Sequence, residues 1–468
     1  MFFNIVNKFV SNIFVLYLTL YSYKLIDGDY YRFIPKHIIT IYPNESIKYP
    51  SICWNNVDIN MNTTHINIKR NEKKSIFCNE LIMWGSPSFV KTENWFFDTD
   101  MTVELKNKKI ASSYGVNFFQ FPNGISGLIA DLSKTVTLFQ GNNIEAENIN
   151  FIKTKMNISM DLINAHPIPN ISDIKIGDTL LIRKLDGLDP LIMWGTGAHA
   201  GHYAMFLNFS DGMYILESTD KNPYGKKFWP PPYGFIKTPY KKWFELAKNS
   251  NYQIRILRLK ESNRKKLISN LNDVYQWWNK YEGTTYGYYN LLWGWIDTLD
   301  NNFPEPLTKE FLTLVISFME RNNIYANTVK SVFLDSINKK IELITNKSSN
   351  RTLLEIINWG IDNNLKIWDI WIKSEKDNWL YNNAPSRVCD TLILSFFKLG
   401  KIIPNYVQIS EFTPKDLYEL NIWDNYHTIQ IMGKYNISIP QWNTINFYKN
   451  INEKCPSKPP KYDRPKYC

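Results

Sequence analysis

Short apolar runs separated by polar turns fill the first third of the chain. Residues 81–84 and 116–121 are runs of this kind, and their length and aromatic content are typical of β-strands. Residues 103–105, followed by Lys-Asn-Lys-Lys and then Ile110, predict a hairpin. We therefore expect residues 26–168 to form a β-rich accessory domain with a sandwich-like arrangement.

The pattern changes after His-Pro-Ile-Pro at 166–169, which predicts an extended linker because proline disfavours helix in the residue before it. Two apolar strands, 203–209 and 213–216, flank Ser-Asp-Gly at 210–212, which is a hairpin turn signal. Apolar residues then recur every three or four positions between 262 and 280, so this segment predicts one amphipathic helix.

Helical patterns dominate the rest of the chain. Residues 306–371 carry dense apolar faces and are interpreted as a helical insertion, at about 300–375, within a second domain that spans 169–445. A further helix is predicted over 386–400, with Cys389 in its first turn. Strands and helices in this order indicate an α+β fold.

Length and charge limit the classes of partner. A chain of 468 residues buries a large core and holds two or more domains. Its formal net charge of +10 is spread along the chain without a basic block. A lysine-rich composition explains such a charge, so no nucleic-acid partner is predicted. We expect the protein to be a monomer.

The N-terminus predicts a secretory route. Lys8 precedes an apolar run over 13–21, which has the size of a signal-peptide core and is short for a membrane span. Because no small-x-small cleavage site follows, residues 1–25 are either a signal peptide or an uncleaved anchor, the only membrane contact that we expect. Eight Asn-x-Ser/Thr sequences fit a glycoprotein that is secreted or lumenal, although many arise by chance in so asparagine-rich a chain.

The cysteines agree with an oxidising compartment. Two lie near each end of the chain and one lies between them: Cys53, Cys78, Cys389, Cys455 and Cys468. Pairing of near neighbours predicts the disulfides Cys53–Cys78 and Cys455–Cys468, the second of which staples a basic tail over 446–468. Cys389 is then left over, and an odd cysteine in a secreted chain is a candidate reactive thiol.

A glycine-rich loop and a hairpin hold the best candidates for chemistry. Gly201 closes the loop, His202 begins the first strand of the hairpin, and Glu217 ends the second strand. Antiparallel pairing places these ends side by side, so an imidazole and a carboxylate form the base and the orienting group of a nucleophilic site. Cys389 is the candidate nucleophile, because a helix N-terminus and a nearby imidazolium both lower the pKa of a thiol.

Three alternatives stay open. Cys389 on an apolar helix also fits a buried core residue. His199 competes with His202 for the role of base, although only His202 adjoins the strand directly. These histidines, with Glu217 and Cys389, are also potential zinc ligands, but the sequence holds neither a helical i, i+4 histidine pair nor a second nearby cysteine. No phosphate-binding loop or dinucleotide fingerprint is found, so no metal or cofactor is predicted.

The order of these parts resembles the circularly permuted papain-like hydrolases, the YiiX-like branch of the NlpC-type superfamily, to which lecithin-retinol acyltransferase is related. The resemblance covers about 171–425, less the insertion. Its matching positions are Gly177-Asp178, His202, Glu217, Tyr286-Gly287-Tyr288-Tyr289 and Cys389. Asp390 departs from the pattern, since small residues are more usual after the cysteine. The stretches 194–217 and 286–297 also resemble a group of protist proteins with the same layout and no assigned activity.

The resemblance implies a thiol hydrolase with Cys389, His202 and Glu217 as its catalytic set. Its reaction is acyl transfer to water through a thioester on a small peptide, amide or lipid substrate, as in an amidase, peptidase or thioesterase. The alternatives are a catalytically inactive secreted binding protein on the same fold, and a lipid acyltransferase or phospholipase. We expect Cys389 Sγ to lie within about 4 Å of one ring nitrogen of His202, with Glu217 at the other.

Overall fold

The structure, a computed structural model, describes residues 35–76, 78, 80–95, 100–121, 137–139, 143–165, 168–220, 229–290, 299–300, 309–321, 333–371, 375–381, 383–445 and 462–463. Its strands are β1 Lys36–Ile41, β2 Glu45–Lys48, β3 Trp54–Met61, β4 His65–Lys73, β5 Glu80–Ser86, β6 Phe89–Trp95, β7 Met101–Glu104, β8 Val116–Phe121, β9 Thr179–Arg183, β10 His202–Phe209, β11 Gly212–Thr219, β12 Gly234–Pro239, β13 Gln253–Leu259, β14 Leu299–Asp300, β15 Leu380–Tyr381, β16 Ala384–Pro385, β17 Trp423–Met432 and β18 Tyr462–Asp463. Its helices are α1 Lys108–Tyr114, α2 Ile144–Met156, α3 Leu188–Thr196, α4 Tyr240–Asn249, α5 Glu261–Ser269, α6 Leu271–Tyr281, α7 Lys309–Arg321, α8 Asp335–Thr345, α9 Leu353–Asp362, α10 Ile367–Trp371, α11 Cys389–Leu399 and α12 Pro414–Glu419. The protein therefore has the predicted α+β character.

The chain forms two compact units. The first unit combines the described residues of 27–136 with those of 307–371, and the second combines those of 137–306 with those of 372–468. Two segments thus fall in a different unit from the domain in which the sequence analysis placed them. The described residues of 137–168 belong to the second unit, and the helices α7 to α10, interpreted as an insertion in the second domain, belong to the first.

Hydrogen bonds inside each unit account for these two placements. In the second unit, the side chain of Asn148 on α2 accepts a hydrogen bond from the N–H of Gly187, just before α3, at 2.9 Å. In the first unit, the hydroxyl of Tyr114 on α1 accepts from the N–H of Ile367 on α10 at 2.9 Å. These pairs are distant in sequence, so the local patterns of hydrophobic residues do not reveal them.

Two four-stranded antiparallel sheets build the first unit, in the orders β1-β8-β5-β6 and β2-β3-β4-β7. Alternation along β3 buries Val57 and Ile59 while Asp58 between them stays partly exposed. The same core includes Trp84 of β5, so the two sheets share one apolar interior. The predicted pair Cys53–Cys78 lies beside it at bonding distance, with the sulfurs 2.07 Å apart.

The predicted hairpin over 103–110 is wrong. β7 ends at Glu104, and Ile110 lies in α1 instead. The side chain of Asn107 accepts a hydrogen bond from the N–H of Ile110 at 3.1 Å, which makes Asn107 the N-cap of the helix. Asparagine is favoured at this position because its side chain satisfies a first-turn N–H, and this local bond outweighs the hairpin pattern.

The second unit is built on a six-stranded antiparallel sheet in the order β12-β11-β10-β9-β13-β17. Successive residues of β10 face opposite sides. Tyr203 and Met205 join a core with α5, α6 and α11, whereas Ala204 and Phe206 join a second core with α4. Helices therefore cover both faces of the sheet, which explains why its central strands are continuous apolar runs.

The single helix predicted over 262–280 is two helices, α5 and α6. Asn270 separates them, with φ of −116° and ψ of 18°, outside the helical range. Asparagine competes with helix by local hydrogen bonding, which explains the break. Leu267 of α5 and Trp278 of α6 nevertheless pack in the same core, so the predicted apolar face is present on both.

Some sequence predictions fall outside the described residues. They are the signal peptide or anchor at 1–25 and the disulfide Cys455–Cys468. Among the helices that the structure describes, none has both the length and the apolar character needed to cross a bilayer.

Candidate active site

A glycine-rich loop carries the chain from α3 into β10. α3 ends at Thr196, and Gly197 follows with φ of 65°, a left-handed conformation that glycine adopts without steric cost. At Gly201 a Cβ atom would lie 2.5 Å from Oδ1 of Asp189, so a side chain there would require Asp189 to shift. The loop thus delivers His202 as the first residue of β10, where it is 5 % exposed.

Glu217 lies beside His202 on the neighbouring strand, β11. Its Oε2 is 2.7 Å from Nε2 of His202, and its Oε1 accepts a hydrogen bond from Nε1 of Trp243 at 2.7 Å. Glu217 is 1 % exposed, so both bonds are shielded from water. The structure therefore brings together two of the three predicted catalytic residues and adds Trp243 of α4 as a second donor to the carboxylate.

Burial and hydrogen bonding set the charges of this pair. Burial lowers the pKa of His202, and the ammonium group of Lys184 lowers it further, against the opposing effect of Glu217. Burial alone would raise the pKa of Glu217, but the hydrogen bonds from His202 and Trp243 and the nearby positive charge lower it. At neutral pH the pair is a carboxylate and a neutral imidazole whose proton, on Nε2, points at Glu217.

Cys389 begins α11 and lies against the backbone on both sides of His202. Its thiol donates to the carbonyl oxygen of Gly201, with Sγ 3.5 Å away, and the N–H of Tyr203 is directed at the sulfur. In the described part of the sheet, the ladder between β10 and β11 begins only at Met205. The sulfur therefore occupies the position in which β11 would otherwise continue to pair with β10.

Cys389 contacts the backbone on both sides of His202, but its thiol is not hydrogen-bonded to the imidazole ring. Within the described ranges, the hydrogen bond of the Cys389 thiol goes to Gly201, and none joins it to the ring of His202. His202 lies on the α4 face of the sheet with Ala204, whereas α11 packs on the opposite face. Among the described residues, no hydrogen-bond donor reaches Nδ1 of His202, the ring nitrogen nearer the backbone, and its lone pair is therefore available. The expected separation of about 4 Å stays a prediction.

Burial raises the pKa of Cys389 well above its ordinary value, and the charge of Asp390 raises it further. Lys184 acts in the opposite direction without overcoming burial. This corrects the expectation of a depressed thiol pKa. Cys389 is 2 % exposed and its imidazole neighbour is neutral, so the helix N-terminus alone does not offset desolvation, and the sulfur is a neutral thiol.

Asp390 is a second buried ionisable group in the first turn of α11. It is fully buried, and its carboxylate oxygens have no hydrogen-bond partner of good geometry among the described residues, although the N–H groups of Asp390 and Thr391 lie near enough to lower its pKa. Burial dominates and raises the pKa of Asp390 to about 8. Asp390 is therefore largely protonated at neutral pH, which limits its electrostatic effect on the thiol.

Sequence reasoning missed two residues of the site, Trp243 and Lys184. Trp243 lies on the buried face of α4, where a tryptophan that donates a hydrogen bond is indistinguishable from one that only packs. Lys184 directly follows β9, and its Nζ lies 5.2 Å from the ring centroid of Tyr252. A lysine at a strand end is usually solvated, so nothing in the sequence singles it out.

Other positions from the sequence analysis have structural partners. His199 directs Nδ1 at the carbonyl oxygen of Ser438, and burial lowers its pKa to about 4. Asp178 is fully buried and forms ion pairs with Arg258 and with Arg264, the latter at 2.8 Å. Among the described residues, no three His, Cys, Asp or Glu side chains are arranged to hold a metal ion.

Comparisons with known protein families, with curated proteins and with solved structures find no match to this chain. The central feature of the described site is a buried imidazole that is hydrogen-bonded to a carboxylate through Nε2, with a thiol at a helix start against the backbone of the residues before and after it.

Proposed function

We propose that this chain is a thiol hydrolase of the permuted papain-like type, which transfers the acyl group of an amide or ester to water through a thioester on Cys389. The observation that carries the proposal is the buried bond of 2.7 Å between Nε2 of His202 and Oε2 of Glu217. A carboxylate that fixes the tautomer of an imidazole is the orienting half of a nucleophilic site. It leaves Nδ1 free to act as a base.

The position of the thiol supports the same proposal. Sγ of Cys389 contacts the backbone of Gly201 and Tyr203, the two chain neighbours of the proposed base. Because the thiol and the imidazole are both neutral, the proposed mechanism is general-base catalysis and not a preformed thiolate–imidazolium pair. In the proposed mechanism, substrate binding turns the thiol from the Gly201 carbonyl towards Nδ1 of His202.

In the proposed reaction, the proton of Sγ passes to Nδ1 of His202 as the sulfur bonds to the acyl carbon. Collapse of the tetrahedral intermediate breaks the bond to the leaving amine or alcohol, which takes the proton from Nδ1. A water molecule then loses a proton to Nδ1 while its oxygen attacks the thioester. The acid product leaves as the proton returns to sulfur, and Glu217 stays ionised throughout.

Alkylation of Cys389 by iodoacetamide, followed by peptide mass spectrometry, tests the role of the base. We expect His202→Ala to slow alkylation at pH 8 by at least tenfold, because the group that accepts the thiol proton is removed. His427→Ala is the matched control, since its side chain is 75 % exposed and pairs only locally with Asp424. Equal rates in wild type and His202→Ala would contradict the proposal.

Hydrolysis of p-nitrophenyl acetate tests the nucleophile. We expect an acetyl group on Cys389 after acid quenching and no turnover above background in Cys389→Ser. Thermal unfolding of both proteins shows whether the serine variant is folded. Turnover in Cys389→Ser at the wild-type rate would place the chemistry elsewhere and refute the proposal.

A catalytically inactive binding protein on the same fold is the second candidate. It is favoured by the thiol itself, which is 2 % exposed, has a raised pKa and bonds to a backbone carbonyl. In that case Cys389 acts as a small buried residue that closes the end of the sheet. Alkylation that is slow at every pH and independent of His202 would support this candidate over the hydrolase.

A further inference from the structure

Two loops lie side by side at one end of the sheet β2-β3-β4-β7 in the first unit. One loop, 49–53, joins β2 to β3, and the other follows β4, with its residues 74–76 and 78 described. The cysteine pair Cys53–Cys78 joins the loops, and the N–H of Lys74 donates to the carbonyl oxygen of Cys53 at 2.9 Å. The two loops therefore form one structured rim.

Two isoleucine side chains on this rim are exposed to solvent. Ile52 is 56 % exposed and Ile76 is 74 % exposed, although isoleucine is among the residues most often buried in proteins. Each lies within two positions of the cysteine that joins its loop to the other. Next to Ile52, the hydroxyl of Ser51 donates to the buried carboxylate of Glu80, which anchors the loop to the core while the isoleucine side chain stays outside.

An ammonium group lies beside the backbone next to each of these isoleucines. Nζ of Lys73 donates to the carbonyl oxygen of Ile76 at 3.4 Å. Nζ of Lys74 donates to the carbonyl oxygen of Ser51, the residue before Ile52, at 3.0 Å. Apolar side chains and positive charges therefore occur together, and these two isoleucines and two lysines are called the isoleucine–lysine rim.

The acidic residues nearest in sequence leave the rim positive. Glu72 accepts a hydrogen bond from the side chain of Asn56 at 3.2 Å, and Glu80 is only 2 % exposed. Lys74 is exposed, and among the described residues no carboxylate lies within ion-pairing distance of it. The charge of the rim is thus complementary to an anionic surface.

The small size of the rim favours a lipid surface over a protein partner. A stable protein interface covers about 800 Å² on each side, which two isoleucines and two lysines do not supply. A lipid surface needs only a few apolar side chains at the boundary between headgroups and acyl chains, with lysines against anionic headgroups.

We propose that the isoleucine–lysine rim docks the protein on an anionic lipid surface. Ile52 and Ile76 enter the boundary between headgroups and acyl chains, and the two lysines contact the headgroups. This contact is additional to the N-terminal one expected from the sequence. It does not depend on the hydrolase proposal.

Protection of lysines from acetylation tests this docking on the full chain. A water-soluble acetylating ester is applied with vesicles of phosphatidylcholine alone or with about one-third phosphatidylserine, and peptide mass spectrometry gives the rate at each lysine. We expect acetylation of Lys74 to slow by about tenfold on the anionic vesicles only, and to recover at about 0.5 M salt because screening weakens the contact. Lys347, exposed just after α8, is the control and should be unaffected.

Ile52→Ser combined with Ile76→Ser tests the apolar part of the contact. We expect the double variant to lose the protection of Lys74 and to sediment with anionic vesicles about tenfold more weakly. Leu354→Ser is the matched control, because Leu354 is 41 % exposed in the same unit and lies on α9, outside the rim. Thermal unfolding of all three proteins shows whether the variants are folded.

Each contrary result has a definite meaning. Equal acetylation of Lys74 with and without vesicles of both compositions would overturn the proposal in favour of a protein partner. Sedimentation with vesicles while Lys74 stays reactive would show that another part of the chain binds the lipid, and the rim would not be the docking site. Protection of Lys74 that survives both isoleucine changes would show a contact by charge alone and would refute insertion of the isoleucines.

Discussion

Exchange of Glu217 for glutamine separates the structural role of the buried carboxylate from its chemical role. Glu217 accepts from His202 and from Trp243, each at 2.7 Å. A glutamine amide can keep both bonds in only one arrangement. Its oxygen accepts from Trp243, and its NH₂ donates to Nε2 of His202, which then has to release its proton to Nδ1. The change therefore preserves the hydrogen bonds but reverses the tautomer.

The structure gives different magnitudes for the two roles. Glu217→Ala breaks two hydrogen bonds to a charged group, worth about 1.5–3 kcal/mol each, so we expect it to lower the free energy of unfolding by about 3–6 kcal/mol. Glu217→Gln should lower it by only about 1 kcal/mol, because charge-assisted bonds become neutral ones. Its effect on turnover should be far larger, on the order of 10³–10⁴-fold, because Nδ1 carries a proton and no longer acts as a base.

Two measurements check this prediction. The kcat/KM for p-nitrophenyl acetate reports the chemistry. Stability of the second unit is measured by brief alkylation at increasing urea, with mass spectrometry of the Cys389 peptide, since this buried thiol becomes accessible when the unit unfolds. A Glu217→Gln protein that is as unstable as Glu217→Ala would show that the amide does not re-form the bonds. A stable Glu217→Gln protein within tenfold of wild-type activity would refute the tautomer argument.

Two further predictions concern neighbours of the site. The carboxyl group of Asp390 has a pKa of about 8 in the folded protein and of 3.8 in the unfolded chain. The protonated carboxyl therefore contributes its full stabilisation below pH 3.8, and this stabilisation declines as the pH rises toward 8. The free energy of unfolding of Asp390→Asn, measured in urea and taken relative to wild type, should therefore rise by up to about 1.4 kcal/mol per pH unit between pH 5 and 7.5. If the unfolding free energies of the two proteins change in parallel with pH, Asp390 is not protonated in the folded protein. Gly201→Ala should lower the free energy of unfolding by about 1–3 kcal/mol, because the new Cβ meets Oδ1 of Asp189. Adding Asp189→Ala to the same chain should recover part of that loss. If the double variant recovers nothing, the strain does not come from Asp189.

The hairpin that holds the candidate site is visible in the sequence because its signals are local. Ser-Asp-Gly at 210–212 specifies the turn, and period-2 alternation then fixes which residues share a face. His202 and Glu217 thus follow from turn position and strand length alone. The start of α11 at Cys389 and the Thr413 cap before α12 are local signals of the same kind.

The sequence does not reveal those features of the site that depend on contacts between residues far apart in the chain. The bond from Trp243 to Glu217 depends on how α4 docks on the sheet, and many packings would bury the same tryptophan. The pKa of Cys389 depends on how completely the sulfur is enclosed, and desolvation reverses the shift expected from a helix start. Residues 103–110 show that even local patterns compete, since one Asn107 cap replaces a hairpin by a helix.

The division of the chain into two units has a consequence for how the protein is made. The described parts of the two units alternate along the chain, changing between residues 121 and 137, between 300 and 309, and between 371 and 375, so each unit is assembled from stretches that are far apart in sequence. On the ribosome, the first unit waits for 307–371 after its strands have emerged, and the second waits longer, for the helix that carries Cys389 and for β17 after it. Domains usually fold one after another during synthesis, but here neither can finish before part of the other has been translated. The edge of β13 therefore stays unpaired until β17 has been made, and a premature stop anywhere before β17 leaves the sheet of the second unit incomplete.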